Sequence, residues 1–315
     1  MEKILILGAG GQIGVELTLA LRQLYGRNQV IASDIKEEHP LLKQDNGPFR
    51  QLDVMDFKEV AHVVQEEGIT QIYLLAAILS ATGETKPLWA WDINMQSLVN
   101  LLEICRENKV RKFYWPSSIA AFGPNTPKQN TPQHTIVEPT TVYGISKYAG
   151  ELWCKYYHDR YGLDVRSLRY PGLISWKSAP GGGTTDYAID IYIEALKHKK
   201  YTCFLAEDSY LPMMYMDDAI RATIELMEAP AAQIKNRMAY NLSAMSFSPK
   251  EIAASIQQHI PDFSIDYAPD YRQQIAASWP QSIDDSEARA DWGWKHEFDL
   301  DKMTAEMLHH LSQKK

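Results

Sequence analysis

Seven consecutive residues constrain this chain more than any others: Gly8-Ala9-Gly10-Gly11-Gln12-Ile13-Gly14, which follow an apolar run over residues 3–7. A continuous apolar run that stops at a glycine is the pattern of a strand buried on both faces. Helical periodicity resumes at once, from Ile13 to Tyr25. Glycines 8, 11 and 14 therefore fall in the turn between a buried strand and a helix. Such a turn lets backbone approach a pyrophosphate closely, at a helix N-terminus whose amides attract anions. Asp34 lies 20 residues beyond Gly14, just past the next strand, residues 29–33. An acid there accepts hydrogen bonds from an adenosine ribose and repels a 2′-phosphate, which favours NAD over NADP. Lys36 argues the other way, since it can neutralise a phosphate. Gly8, Gly11, Gln12, Ile13, Gly14 and Asp34 are candidate cofactor residues. Asp53 and Val54, after the third strand, are expected beside the adenine, although Asp53 also suits a turn cap.

Further strands are expected over 49–52, 71–77, 112–117 and 164–170. They alternate with helices over 56–67, 88–108 and 142–161, with Asp56 as the N-cap of the first. Strands and helices alternating at this spacing make an α/β fold, a doubly wound parallel sheet (Rossmann fold), with its ligand crevice beyond the C-terminal strand ends. After Tyr170 the pattern loosens. Residues 171–186 read as a loop whose glycines suit a hinge over the site. Helices follow over 187–199 and 217–227. Another begins at Ser248-Pro249, a cap followed by proline at the first helical position. A short strand is expected over 265–267 and a last helix over 300–313. The expected division is an NAD-binding domain over 1–170 and a smaller substrate-binding lobe over 171–315. The lobe is interleaved with the first domain because no polar linker separates them.

Charge and composition exclude several classes. The chain has 32 Lys+Arg against 40 Asp+Glu, a net charge of −8, and no basic run, so no nucleic-acid partner is expected. No stretch of about 20 apolar residues is present, so no membrane-spanning helix is expected. The first apolar run is too short for a signal-peptide core and ends in glycines, which points to the cytoplasm. Cys105, Cys154 and Cys203 are odd in number and widely spaced, which suits buried thiols and no disulfide framework. The nine histidines are scattered without metal-ligand spacing, so no metal is expected.

Tyr143-Gly144-Ile145-Ser146-Lys147 places a tyrosine and a lysine at i and i+4, on one face of a helix. An ordinary tyrosine has a pKa near 10, too high for a base at neutral pH; a neighbouring ammonium stabilises the phenolate. Lys147 can do this while binding the nicotinamide ribose. Ser117-Ser118 closes the preceding strand, where a hydroxyl can hold a substrate oxygen in line with the phenol. Serine, tyrosine and lysine together fit oxidation of a secondary alcohol, or the reverse.

On Gly8/Gly11/Gly14, Asp34, Ser118, Tyr143 and Lys147 the chain resembles the extended short-chain dehydrogenases/reductases, the group that includes nucleotide-sugar epimerases. Within that group, four segments resemble the short-chain type of L-threonine 3-dehydrogenase. They are Ala76-Ala77-Ile78-Leu79-Ser80, Trp115–Pro124, Pro180–Ala188 and Ser278–Ser286. The resemblance implies NAD-dependent, metal-independent oxidation of L-threonine at its β-hydroxyl to 2-amino-3-oxobutanoate. It implies Tyr143 as general base, Lys147 as its ribose-binding partner and Ser118 as the hydroxyl-binding serine, with Ser117 in support. Ser80, Gly183, Thr184, Thr185 and Trp279 are implied to bind substrate. Leu75, Ala76, Ala77 and Ile174 are implied on the nicotinamide side. Thr185 or Asp186 can instead cap the following helix, and Trp279 can be core. Residues 75–77 lack the histidine common in sugar epimerases, a point against a sugar substrate. The remaining alternatives are a nucleotide-sugar epimerase or dehydratase and a non-catalytic NAD-sensing protein; the intact Ser118/Tyr143/Lys147 set argues against the latter. The resemblance also implies a homodimer through the helices at 88–108 and 142–161. Trp89, Trp91, Trp153, Tyr156 and Tyr157 suit either that interface or the core.

Overall fold

A computed structural model describes residues 2–177 and 183–313. The first half of the chain runs β1 (Ile4–Leu7), α1 (Gln12–Tyr25), β2 (Val30–Asp34), α2 (Pro40–Asp45), β3 (Phe49–Gln51), α3 (Phe57–Glu66) and β4 (Gln71–Leu74). It continues through α4 (Ser80–Thr85), α5 (Pro87–Glu107), β5 (Lys112–Tyr114), β6 (Ser117–Ser118), α6 (Val142–Tyr161) and β7 (Asp164–Arg166). Six of these strands form one parallel sheet in the order β3-β2-β1-β4-β5-β7. This is the doubly wound arrangement expected from the sequence. The order reverses between β1 and β4, and a crevice opens at such a switch point.

The pleat of β1 explains why its run is continuously apolar. Ile4 and Ile6 enter a core shared with α1, while Leu5 and Leu7 enter the core on the other face, with residues of α3 and α5. Asp56 caps α3 as expected, its carboxylate accepting the amide of Glu59 at 3.1 Å.

Later elements are β8 (Leu168–Tyr170), β9 (Gly172–Ile174), α7 (Tyr187–His198), β10 (Lys200–Cys203), β11 (Leu211–Tyr215), α8 (Met216–Glu228), β12 (Tyr240–Asn241) and β13 (Met245–Phe247). They end with α9 (Pro249–His259), β14 (Ser264–Tyr267), α10 (Arg272–Ser278), α11 (Ser286–Trp292) and α12 (Leu300–Gln313). α8 returns to the first sheet: Met216, Ala219 and Leu226 share a core with Ile4 and Ile6. A separate core joins α7, α9, α12 and β11 and includes Trp279. α9 opens with a full capping box, in which the Ser248 hydroxyl and the Glu251 carboxylate each accept the other's amide.

Three sequence expectations are corrected. The run 112–117 breaks after Tyr114, because Pro116 has no N–H to give a ladder; Ser117–Ser118 pairs elsewhere. The run 164–170 splits after Arg166. β7 completes the large sheet, whereas β8 crosses to a small sheet ordered β12-β8-β6. Two buried arginines fix that split. Arg166 donates to the carbonyls of Leu226, Met227 and Ala229 at the end of α8, and Arg169 turns to Glu151 on α6. The segment 171–186 is not all loop: β9 pairs in parallel with β11. Of the expected hinge, residues 178–182 lie outside the described residues.

The Glu151–Arg169 pair is almost completely buried and bidentate, at 2.8 and 2.7 Å. Removing one partner of such a pair strands a charge and costs about 3–5 kcal/mol, while apolar replacement of both is near neutral. Arg169→Met is expected to lose stability on that scale in urea denaturation, and Glu151→Leu/Arg169→Met to recover most of it. A loss below about 1 kcal/mol in the single variant would show that the pair does not hold α6 to β8.

Candidate active site

The glycine turn shapes one wall of the crevice. Gly8 has φ +92°, and a Cβ there would lie 2.5 Å from the backbone nitrogen of Ala76. A Cβ on Gly14 would lie 2.3 Å from the carbonyl oxygen of Gly8. Only glycine lets α1 begin this close to β1 and β4, and its first-turn amides then border an open cradle. Asp34 holds that turn: its carboxylate accepts the amide of Gly10 at 2.9 Å and that of Lys36 at 3.0 Å. The Lys36 side chain is exposed.

One cleft is lined by Gly8, Gly11, Gln12, Ile13, Gly14, Leu75, Ala77, Ser80, Ser118, Tyr143, Lys147, Gly183, Thr184, Thr185 and Trp279. Most residues singled out in the sequence thus come together from six separate segments. Ala76 lies against Gly8 without lining the cleft. Asp53 closes a turn on the amide of Met55 at 2.9 Å, and Val54 packs against the sheet core. Neither lines the cleft. Ile174 turns its side chain into the core, and Leu173 lines the cleft in its place.

α6 carries Tyr143 and Lys147 and is pressed hard against the segment 115–120. A Cβ on Gly144 would lie 2.1 Å from the carbonyl oxygen of Ala120, and one on Gly150 2.3 Å from the Trp115 ring. Thr141 caps the helix on the amide of Gly144 at 3.0 Å. Lys147 is buried, donates to the carbonyl of Pro116 at 2.6 Å, and lies 5.3 Å from the centre of the Tyr143 ring. Ser118 hydrogen-bonds the Tyr143 hydroxyl, and its own oxygen accepts the amide of Ala120 at 3.2 Å. Ser117 also borders the cleft, and its hydroxyl donates to Glu151 at 2.5 Å.

Ser80, also in the cleft lining, begins α4. The loop before it is pinned by Asn94, which accepts the amide of Ile78 at 2.7 Å and donates to its carbonyl at 3.0 Å. Sequence reasoning missed Asn94; an amide in the middle of an otherwise apolar helix face was the available signal. Leu79, Pro116, Tyr170 and Gly172 also line the cleft and carried no signal beyond their neighbours in the motifs. Asp186 occupies the cap position of α7 but makes no side-chain cap; its carboxylate accepts the amide of Gly183 at 2.8 Å. The Thr184 hydroxyl is buried at the cleft and has no hydrogen-bond partner among the described residues. Leaving such a group unpaired costs about 1–3 kcal/mol, and a polar ligand atom would satisfy it.

The profile of the NAD-dependent epimerase/dehydratase family matches residues 4–243. The chain belongs to this family. An uncharacterized epimerase/dehydratase of Staphylococcus saprophyticus is 52% identical over 309 residues, 98% of this chain and 96% of that one. Among solved structures, a GalE-like L-threonine dehydrogenase from Cupriavidus necator in its holo form is 59% identical. It covers 98% of this chain and 99% of its own, with a TM-score of 0.95. A monomeric L-threonine 3-dehydrogenase from a metagenome is 49% identical, covers 98% of both chains and has a TM-score of 0.94.

The residues present fit the cofactor of this NAD-dependent family: a glycine cradle that any Cβ would fill, and an acid behind it. Among the described residues no group of three or more His, Cys, Asp or Glu side chains could hold a metal ion. Burial dominates the electrostatics of the cleft. Desolvation pushes the Tyr143 hydroxyl up to about 12, and the bond from Ser118 offsets only part of that. Desolvation pushes the Lys147 ammonium down to about 7, with Cys154 and Glu151 opposing. The Lys147 proton is therefore held less tightly in the folded chain than in the unfolded one. Its cost to stability is fully present below pH 7 and disappears as pH rises into the ordinary lysine range. Lys147→Met is expected to melt no lower than the parent at pH 7 while losing at least ~100-fold in dehydrogenase turnover. A variant that is both less stable and fully active would refute this balance.

Proposed function

We propose that this chain is an NAD-dependent L-threonine 3-dehydrogenase, oxidising the β-hydroxyl of L-threonine to the ketone of 2-amino-3-oxobutanoate. One observation carries the reading. Ser118, Tyr143 and Lys147 face Thr184, Thr185 and Trp279 across one cleft, in a chain 59% identical to a threonine dehydrogenase along nearly its whole length. In this reading residues 1–170 hold NAD and residues 171–315 supply most of the substrate side.

Bound in the cleft, NAD supplies the hydride acceptor. The backbone of Gly8–Gly14 and the Asp34 carboxylate hold its phosphates and adenosine ribose, with Asp53 and Val54 toward the adenine. Residues 75–77 and Ile174 supply backbone on the nicotinamide side. Ser118 donates to the substrate β-hydroxyl, and Tyr143 as phenolate takes its proton. Lys147 binds ribose and favours the phenolate by its charge. Ser80, Gly183, Thr184 and Thr185 hold the zwitterionic head, and Trp279 closes the pocket against water. Because burial raises the Tyr143 pKa, phenolate is scarce at neutral pH, so oxidation is expected to accelerate with rising pH. Purified protein with NAD and L-threonine should produce NADH absorbance at 340 nm, unaffected by chelator, whereas NADP or D-threonine should not. Tyr143→Phe should abolish turnover and keep NAD binding. NAD binding with no threonine oxidation, together with turnover of a UDP-sugar, would move the assignment to an epimerase.

We also propose a homodimer in the cytoplasm. α5 and α6 pack on each other and expose Leu88, Trp89, Trp91, Trp153 and Tyr156, whereas Tyr157 is buried and belongs to the core. Exposed aromatic side chains on two packed helices suit a partner surface. The three cysteines are free and buried, and no described helix is long and apolar enough to cross a membrane. Light scattering at micromolar concentration should give about twice the 35.9 kDa chain mass; the single-chain mass would overturn the dimer.

A further inference from the structure

Trp279 reaches the cleft from far along the chain, and a single lysine ties it there. α10 ends at Ser278, and Trp279 follows as its C-cap, its amide donating to the carbonyl of Ala276 at 3.1 Å. The last carbonyls of a helix have no partner within it, and a cation there is favoured by their aligned dipoles. The Lys128 ammonium supplies the partner, donating to the carbonyls of Ser278 at 2.7 Å and Trp279 at 3.2 Å. Its third bond, at 3.4 Å, goes to the carbonyl of Gly123. That carbonyl lies five residues past Ser118, on a backbone pressed so closely to Glu138 that a Cβ on Gly123 would lie 1.7 Å from its carbonyl oxygen. Lys128 grips the same late segment from its backbone as well: its carbonyl accepts the amides of Gln281 at 2.8 Å and Ser282 at 3.1 Å. The far side of Trp279 borders a second hollow, which Lys128 and Tyr210 also line. Trp279 thus borders two spaces, and the clamp fixes the backbone from which its indole projects.

We propose that Lys128 is a positioning residue for substrate: its ammonium locks the Ser278–Trp279 backbone to the segment carrying Ser118, so that the indole closes over the bound amino acid. This rests on the reading of the cleft as a threonine site walled by Trp279. An ammonium bonded to carbonyls of two distant segments holds their spacing only while all three bonds are made. A neutral apolar side chain of similar length frees the end of α10.

The test is steady-state kinetics at saturating cofactor on the full chain, comparing Lys128→Met, Lys128→Arg, Trp279→Ala and the Lys128→Met/Trp279→Ala double variant. Lys128→Met should raise KM for L-threonine at least fivefold with KM for NAD within twofold, and Lys128→Arg should restore most of the loss. Trp279→Ala should raise the same KM, and the double variant should be no worse than Trp279→Ala alone, because the lysine acts through the indole. If Lys128→Met does not accumulate as folded protein, Lys128→Gln is held to the same criteria. An unchanged threonine KM in the lysine variant, with a raised one in Trp279→Ala, overturns the clamp and leaves the wall. An unchanged KM in both overturns the wall and the clamp with it. A parent that does not oxidise threonine overturns the threonine site itself.

Discussion

The buried carboxylate of Glu151 fixes the segments that carry Ser118, Tyr143 and Lys147 without lining the cleft itself. It lies on α6 one turn after Lys147 and two turns after Tyr143, so all three share a helix face. Across from it, Ser117 and Arg169 are direct partners in the parallel pairing of β6 with β8, and both side chains bond Glu151. Side chains alternate along a strand, so turning Ser117 toward Glu151 turns Ser118 the other way, toward Tyr143. The same alternation sends Arg169 inward and leaves Tyr170 at the cleft. Arg169 then reaches the carbonyl of Gln133 and the amide oxygen of Asn241, carrying the constraint into the later part of the chain. A buried ion pair contributes little net stability; what it supplies here is one fixed orientation of neighbouring serines.

That rigidity lets the cleft keep groups the fold alone would disfavour. A buried lysine bonded to one carbonyl and a tyrosine whose hydroxyl is desolvated both lose hydration on folding. Glycines at 144 and 150 let α6 sit close against Ala120 and the Trp115 ring, and that packing helps to bury both groups. The unpaired Thr184 hydroxyl is a third case of a polar group left wanting at this cleft. Functional sites are where local rules are broken while the rest of the chain obeys them. Here three such breaches meet in one cleft, although buried polar atoms without partners among the described residues also occur away from it, at Gln71, Ser97, Ser167 and Trp292.

Legibility in the sequence followed the range of the interactions. β1, α1 and α6 declare themselves through apolar period, glycine turns and caps that act within a few residues, and α6 spans 142–161 as its periodicity indicates. The cradle is legible for the same reason, since Gly8, Gly14 and Asp34 act on their own turn. The splitting of 164–170 was not legible. It depends on Arg166 finding the end of α8 some 60 residues later and on Arg169 finding Glu151. β10 and β11 were missed because they are short and exist by pairing with β14, β9 and β13 rather than by pattern. The role of Lys128 was invisible because its acceptors are backbone carbonyls, which leave no trace in residue identity; Asn94, whose partners in the loop are backbone atoms too, offered only a polar side chain on a helix face.

The same difference in range separates cofactor from substrate. Much of the nucleotide cradle is encoded within the first 34 residues, where a strand, a turn and a helix suffice, so relatives with unlike substrates can share it. The wall of the cleft opposite the glycine turn is assembled from Ser80 after β4, Ser118 after β5, Gly183–Thr185 before α7 and Trp279 after α10. No two of these pieces are fixed by each other's local sequence. Their spacing is held instead by backbone bonds between residues 128–131 and 281–284 and by the buried polar network around Asn241. Asn241 accepts from Arg169 and donates to the carbonyls of Thr131 and Asp284, so the network that orients Ser118 also anchors the segment that follows Trp279. Substrate choice in this family can therefore change through late loops while the cradle and the tyrosine–lysine helix stay fixed. The membership of the chain in the family speaks for its cofactor.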